Sequence, residues 1–169
     1  MYGAPGVLDS VLDEYAYLPF PRRQNVEPFE PFEAAGLEFT LVPVHHPPVE
    51  TYGVVIRDPV TGTKVVLSGD TSRYFDEDSF DAMREPDLLV ADAFVPADTT
   101  HNPFVTDRIS DDGLEFADKH MTYEGAIDLA DALGADEVAL VHLSHYFDDE
   151  YDELADDGHT YVFQGGDET

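Results

Sequence analysis

The chain has 169 residues, 43% of them hydrophobic, enough for one domain with a real core and too little for two independent ones. Cysteine is absent, which excludes a disulfide framework, a thiolate metal site and a cysteine nucleophile, so any metal must be held by His, Asp or Glu. With 37 acidic residues against 8 basic ones the net charge is −29, which argues against broad contact with a phosphate backbone and for a surface adapted to salt, since at about 1 M the screening length shrinks to about 3 Å.

Val7, Leu8, Val11, Leu12 and Tyr15 recur at helical spacing and predict an amphipathic helix over residues 8–16, ended by Pro19 and Pro21. Residues 26–35 read as extended and proline-interrupted. Residues 37–44 alternate as a strand that stops at His45-His46, and residues 53–57 make the next strand, turned back by Asp58-Pro59-Val60-Thr61-Gly62 into a third at 64–68. Asp76, Glu77 and Asp78 read as a solvated acidic face. Residues 87–94, DLLVADAF, form a buried strand with acids at its exit. A long polar connection over 96–118 follows, of the kind that is often functional. Thr122 caps a helix in which Ala126, Ile127, Ala130 and Leu133 share a face, Glu124 favours the first turn and Gly134 stops it. Residues 138–143 are a short interior strand running into His142. Phe147, Tyr151 and Leu154 suggest a final acidic helix, with Asp148, Asp149 and Glu150 on its solvated face, and residues 161–164 a last strand. No repeat is visible. No apolar stretch approaches the roughly 20 residues that span a bilayer, and the first five residues lack a basic region followed by an apolar one, so the expected location is the cytoplasm, without membrane contact.

The run KVVLSGDT ends an apolar strand on Asp70, which is either a turn residue accepting backbone N–H groups or a ligand for a cation, because ligands collect at the carboxyl ends of strands. Of the seven histidines, His45, His46, His120 and His142 fall where a strand ends or a helix begins. Each has a plain reading: a surface residue before a proline turn, a helix-entry residue, a hydrogen-bonded core residue. Together with carboxylates at the same ends they also suit a borderline divalent ion such as zinc. His145 is either an outer neighbour of such a site or solvated; His101 and His159 read as loop and turn. A glycine-rich phosphate loop, a Gly-x-Ser-x-Gly elbow and a basic stripe with interleaved aromatics are all missing.

In order along the chain, HHPPVETYGVVI, VVLSGDT, DLLVADA, HMTYEGAIDLADAL and VALVHLSH resemble the second half of a metallo-β-lactamase-fold hydrolase, in the branch that holds ribonuclease Z and the cyclic-phosphate phosphodiesterases. The resemblance covers most of residues 37–146. It implies an α/β fold, part of a four-layer αββα sandwich, comprising the later sheet and its flanking helices. It implies that His46, with His45 as the fallback, Asp70 and His142 are metal ligands of a centre with two zinc ions, Asp70 bridging them, and that His120 contacts the scissile phosphate. The expected reaction is metal-dependent hydrolysis of a small-molecule or RNA phosphodiester.

The family's His-x-His-x-Asp-His signature does not occur in this chain. Residues 1–169 are therefore expected to be a single domain that begins mid-fold: a truncated piece, one of two chains that assemble, or a degenerate module that binds without catalysis. Hydrolysis of a thioester or lactone on the same scaffold is the other alternative. A missing half also implies an apolar sheet face that seeks a partner, either the absent half or a second copy.

Overall fold

The computed structural model describes residues 1–15, 17, 22–96, 118–143, 154–155 and 158–163. In chain order the elements are β1 (Tyr2–Gly3), α1 (Pro5–Glu14), β2 (Gln24–Asn25), β3 (Phe32–Ala34), β4 (Leu37–Val44), β5 (Thr51–Arg57), β6 (Lys64–Leu67), α2 (Glu77–Met83), β7 (Leu88–Asp92), α3 (Tyr123–Leu133) and β8 (Glu137–Val141). Strands β3 to β8 lie side by side in sequence order in one six-stranded sheet, and β1 pairs with β2 in a separate two-stranded one. The first half of the large sheet is antiparallel, with Thr40 opposite Val55 and Val55 opposite Val66, and the second half is parallel, with Val66 beside Leu89 and Leu89 beside Val138. Because β5 alone among the last five strands runs backwards, β4, β6, β7 and β8 all point their carboxyl ends to the same edge. This edge is where the histidines and acids gather.

The core forms on one face. Val42, Val55, Val66, Leu89, Ala91 and Leu140 point from the sheet into a cluster completed by Met83 of α2 and Ala126, Ala130 and Leu133 of α3. Helix α3 is built as its sequence predicts: the Thr122 side chain accepts from Gly125 N, Glu124 sits in the first turn, and Gly134 closes the helix at φ +73°. The opposite face, with Phe39, Leu41, Val54, Ile56, Val65, Leu67, Val90 and Val141, is apolar by register yet only half-buried among the described residues. No helix among the described residues is long and apolar enough to cross a membrane.

Several boundaries differ from the sequence-based expectation. Helix α1 begins at Pro5 rather than residue 8, because proline is pre-set for the first helical position. Strand β5 begins at Thr51, two residues early, where it pairs with Val44. The acidic residues 76–78 are not merely a solvated face: the Asp76 carboxylate accepts from Ser79 N at 2.7 Å and starts α2, whose first turn carries Glu77 and Asp78 against the helix dipole. Strand β8 stops at Val141, which leaves His142 just beyond it. Residues 161–163 are not in a strand; the edge beside β8 is taken instead by Leu154, which bridges Leu140. The expected final helix lies in residues 147–154, of which 147–153 are outside the described residues, as is most of the 96–118 connection.

Lys64 is a buried cation with an identifiable task. Its ammonium donates to the Arg84 carbonyl at the carboxyl end of α2, while its backbone N donates to Asp87 Oδ2 at 2.6 Å. Burial, reinforced by Arg57, pushes its pKa down from 10.5 to about 8. The folded state therefore holds the proton less tightly than the unfolded chain, so this lysine makes stability rise with pH between about 8 and 10.5. We predict that Lys64→Met flattens that rise, read as urea midpoints at pH 8, 9 and 10 in molar KCl; an unchanged slope would mean the lysine is not desolvated.

Candidate metal centre

The site is assembled at the shared edge by four chain segments. Asp92, the last residue of β7, is 1% exposed, and its carboxylate is the hub. Oδ2 accepts from Thr71 N at 3.0 Å and lies 2.9 Å from His120 Nδ1, and Oδ1 lies 3.2 Å from His142 Nδ1. Asp92 N in turn donates to Ser68 Oγ at 2.9 Å, which ties the ends of β6 and β7 together. Asp70 Oδ1 lies 3.4 Å from the same His142 nitrogen, Nδ1. The His120 and His142 rings are 5.1 Å apart and the His46 and His120 rings 4.9 Å apart. Phe94 stacks on His120 at 4.9 Å and lies 5.3 Å from His142, forming an apolar wall.

Local sequence explains how each group arrives. Gly69 turns at φ +64°, and a Cβ there would come within 3.0 Å of the Tyr52 carbonyl, so only glycine lets the chain leave β6 tightly enough to present Asp70. His120 precedes the Thr122 cap and is held against the sheet by the Val95–Thr122 bridge and by Phe94 N donating to Met121 O. His142 occupies the left-handed region at φ +65°, a conformation uncommon outside glycine that turns the chain off the end of β8.

All four residues singled out from the sequence thus meet in one cluster: His46, Asp70, His120 and His142. His45 does not join them, for its Nδ1 pairs with Ser72 Oγ at 2.9 Å and its ring packs edge-on to Tyr74. His159 contacts Tyr161 in the distal segment, and His101 and His145 lie outside the described residues. Sequence reasoning noted acids at the exit of DLLVADAF but did not single out Asp92 or Phe94. A carboxylate within a strand buried at nearly every position was the available signal, since an acid is rarely buried there without partners.

The donor set fits a divalent ion. Asp92, His120 and His142 each offer a ligand atom within 4.8 Å of the others. His46 Nδ1 is buried with no hydrogen-bond partner, an orphan that coordination would satisfy. Burial first, then the neighbouring His120, lowers the His46 imidazole from its ordinary 6.5, against the pull of its own backbone and of the Asp70 charge, and so favours the neutral form that a ligand requires. Imidazole nitrogens with carboxylate oxygens suit zinc.

The family model described as a β-lactamase superfamily domain matches residues 1–143. The chain belongs to this family. Its sheet and helices are those of the metallo-β-lactamase fold, seen also in a diphosphatase of the PhnP family (TM-score 0.62, 22% identity over 85% of this chain and 46% of that one). Zinc-bound PqqB from Methylobacterium extorquens (0.59, 24%, 84% and 50%) and the short form of human tRNase Z (0.60, 17%, 86% and 61%) share it too. No curated protein matches the sequence. The β-lactamase superfamily chain described here spans about half the length of the diphosphatase and of PqqB.

The hub makes a direct prediction. Asp92→Asn keeps the shape but sets an NH2 group against donors, so stability should fall by about 1–3 kcal/mol. Asp70→Asn, at an exposed carboxylate, should shift it by less than about 0.5 kcal/mol. Urea unfolding of the metal-free chain in molar KCl compares the two; equal effects would remove Asp92 from the centre of the account.

Proposed function

We propose that this superfamily member is a metal-dependent hydrolase acting on phosphodiesters, with His46, Asp70 and His142 as ligands of a divalent metal, zinc by its donor chemistry, and His120 as the residue that meets the scissile phosphate. The observation that carries the reading is the convergence of three imidazoles and two carboxylates at the one edge where four strands end. Similarity to a diphosphatase and to a tRNase Z supports a phosphate ester as the substrate class, and similarity to zinc-bound PqqB supports zinc. Three ligands are too few for two four-coordinate ions, so a two-zinc centre draws the rest from water or from protein outside these residues.

A bound divalent ion would supply Lewis-acid polarisation of the phosphoryl oxygen. The chain's own residues do the rest. Asp92 accepts at Nδ1 of both His120 and His142, which fixes their tautomers and leaves Nε2 of each ring for the site. On His142 that nitrogen would be a ligand; His120, in its doubly protonated form with Nδ1–H on Asp92, would give its Nε2 proton to the departing alkoxide oxygen and return to the neutral ring. Phe94, stacked on His120, keeps water from one side of the ring. The −29 charge sets the working medium at high salt, where a phosphate can approach so acidic a surface.

The incomplete ligand count favours one second reading, a module of the same fold that binds without catalysis. Both are tested on the chain in molar KCl with added zinc, using bis(p-nitrophenyl) phosphate. Asp70→Ala and His142→Ala should lose both metal and activity, whereas His120→Ala should keep the metal and lose about 10²-fold or more in kcat. Metal retention without turnover in the parent chain selects the binding module; turnover of a thioester but not of the diester selects another branch; full activity in His120→Ala would falsify the role given to that residue.

A further inference from the structure

We propose that Thr71 and Ser72 are positioning residues for the candidate metal centre, their hydroxyls clasping the loop after β4 to the loop after β6 and so setting the separation of His46 and Asp70. The inference rests on the reading of those two residues as ligands. Neither hydroxyl belongs to the site itself, and both residues are fully buried.

The clasp is read from its hydrogen bonds. His45 N donates to Thr71 Oγ1 at 3.2 Å, and Ser72 N donates to His45 O at 2.8 Å. Ser72 Oγ lies 2.9 Å from His45 Nδ1 and also accepts from Tyr74 N at 3.3 Å. The Thr71 hydroxyl proton has two acceptors in reach, Ser72 O at 3.0 Å and His45 O at 3.4 Å. One residue earlier in each loop, or one later, is a candidate ligand: Asp70 precedes Thr71 and His46 follows His45. Thr71 N, meanwhile, donates to the Asp92 hub. A shift of either loop by an ångström would therefore break several buried hydrogen bonds at once, and buried polar groups without partners are heavily disfavoured.

This arrangement gives the neighbouring His45 a reason for its identity that coordination does not. Its ring reaches away from the metal cluster and completes the clasp through Ser72. The two adjacent histidines then divide the work, one turned toward the site and one anchoring the loop that carries it. Removing an outer group that orients a metal ligand typically costs about 10-fold to 100-fold in metal affinity.

The test compares the parent chain with Thr71→Val, which removes the hydroxyl at nearly constant shape, Thr71→Ser, which restores it, and Ser72→Ala. Zinc affinity is measured by chelator competition in molar KCl under conditions where circular dichroism shows each protein folded, and the visible spectrum of the cobalt-substituted form reports ligand geometry. Thr71→Val and Ser72→Ala should each weaken zinc binding about 10-fold to 100-fold and change the cobalt spectrum, and Thr71→Ser should recover most of the affinity. If the valine variant does not fold, Ser72→Ala decides alone. Lowered thermal stability with unchanged zinc affinity and cobalt spectrum in the folded variants overturns the proposal and leaves the residues merely structural. Absence of zinc binding in the parent chain overturns the ligand reading itself, a different result from a parent that binds and variants that bind equally well.

Discussion

A single buried carboxylate organises this molecule's functional edge. Asp92 sits at the end of β7 with almost no solvent contact, and desolvating a carboxylate is so costly that its oxygens must be surrounded by donors. The donors it collects come from three places distant in sequence: the amide of Thr71, the imidazole of His120 and the imidazole of His142. Satisfying one acid thus draws the β6 exit, the α3 entry and the β8 exit to a common point. The geometry of the cluster follows from that requirement more than from any property of the histidines.

The sheet supplies the frame in which this can happen. Parallel pairing of β6, β7 and β8 places Leu67 beside Val90 and Asp92 beside Val141, so the three exits are level within a residue or two. Level exits still diverge unless the chain turns sharply, and the two backbone positions that turn it, Gly69 and His142, are both at positive φ. Glycine does this without penalty. For His142 the left-handed conformation carries a cost, which its hydrogen bond to Asp92 offsets. Strain and polar satisfaction are thus coupled at one residue.

The sequence made the strands legible because interior strands of a mixed sheet need β-branched apolar runs, and KVVL and DLLVAD have no other plausible use. Helix α3 was legible for the same sort of local reason, since Thr122 and Gly134 carry their capping function in their own side chain and backbone freedom. Helix α2 was not, because Asp76, Glu77 and Asp78 look alike in a chain with 37 acids and only the hydrogen bond to Ser79 N distinguishes the cap from its neighbours. Of the site, the positions of His46, His120, His142 and Asp70 at element ends could be read; which of two adjacent histidines faces inward could not, as it depends on Ser72, 27 residues from His45. Asp92 escaped for a related reason: its importance lies in partners 21 to 50 residues away, and no local pattern encodes a long-range acceptor.

Charge gives the strongest argument that the cluster is meant for a cation. Most of the chain's excess acid is tolerable at the surface, where salt screens it within a few ångströms. The site is different, because it brings the buried Asp92 and the exposed Asp70 to one imidazole nitrogen, at 3.2 and 3.4 Å, in a protein that already carries −29. Among the described residues the donors to Asp92 are an amide and two imidazoles, with no arginine or lysine, so the pair of acids has no permanent positive charge paired to it there. His46 meanwhile is pressed toward neutrality by burial and by His120, so it does not supply one either. Hydrogen bonds satisfy Asp92 without bringing a permanent positive charge to the pair. A divalent ion held by Asp70, His46 and His142 would supply that charge, with Asp92 orienting His142 from behind.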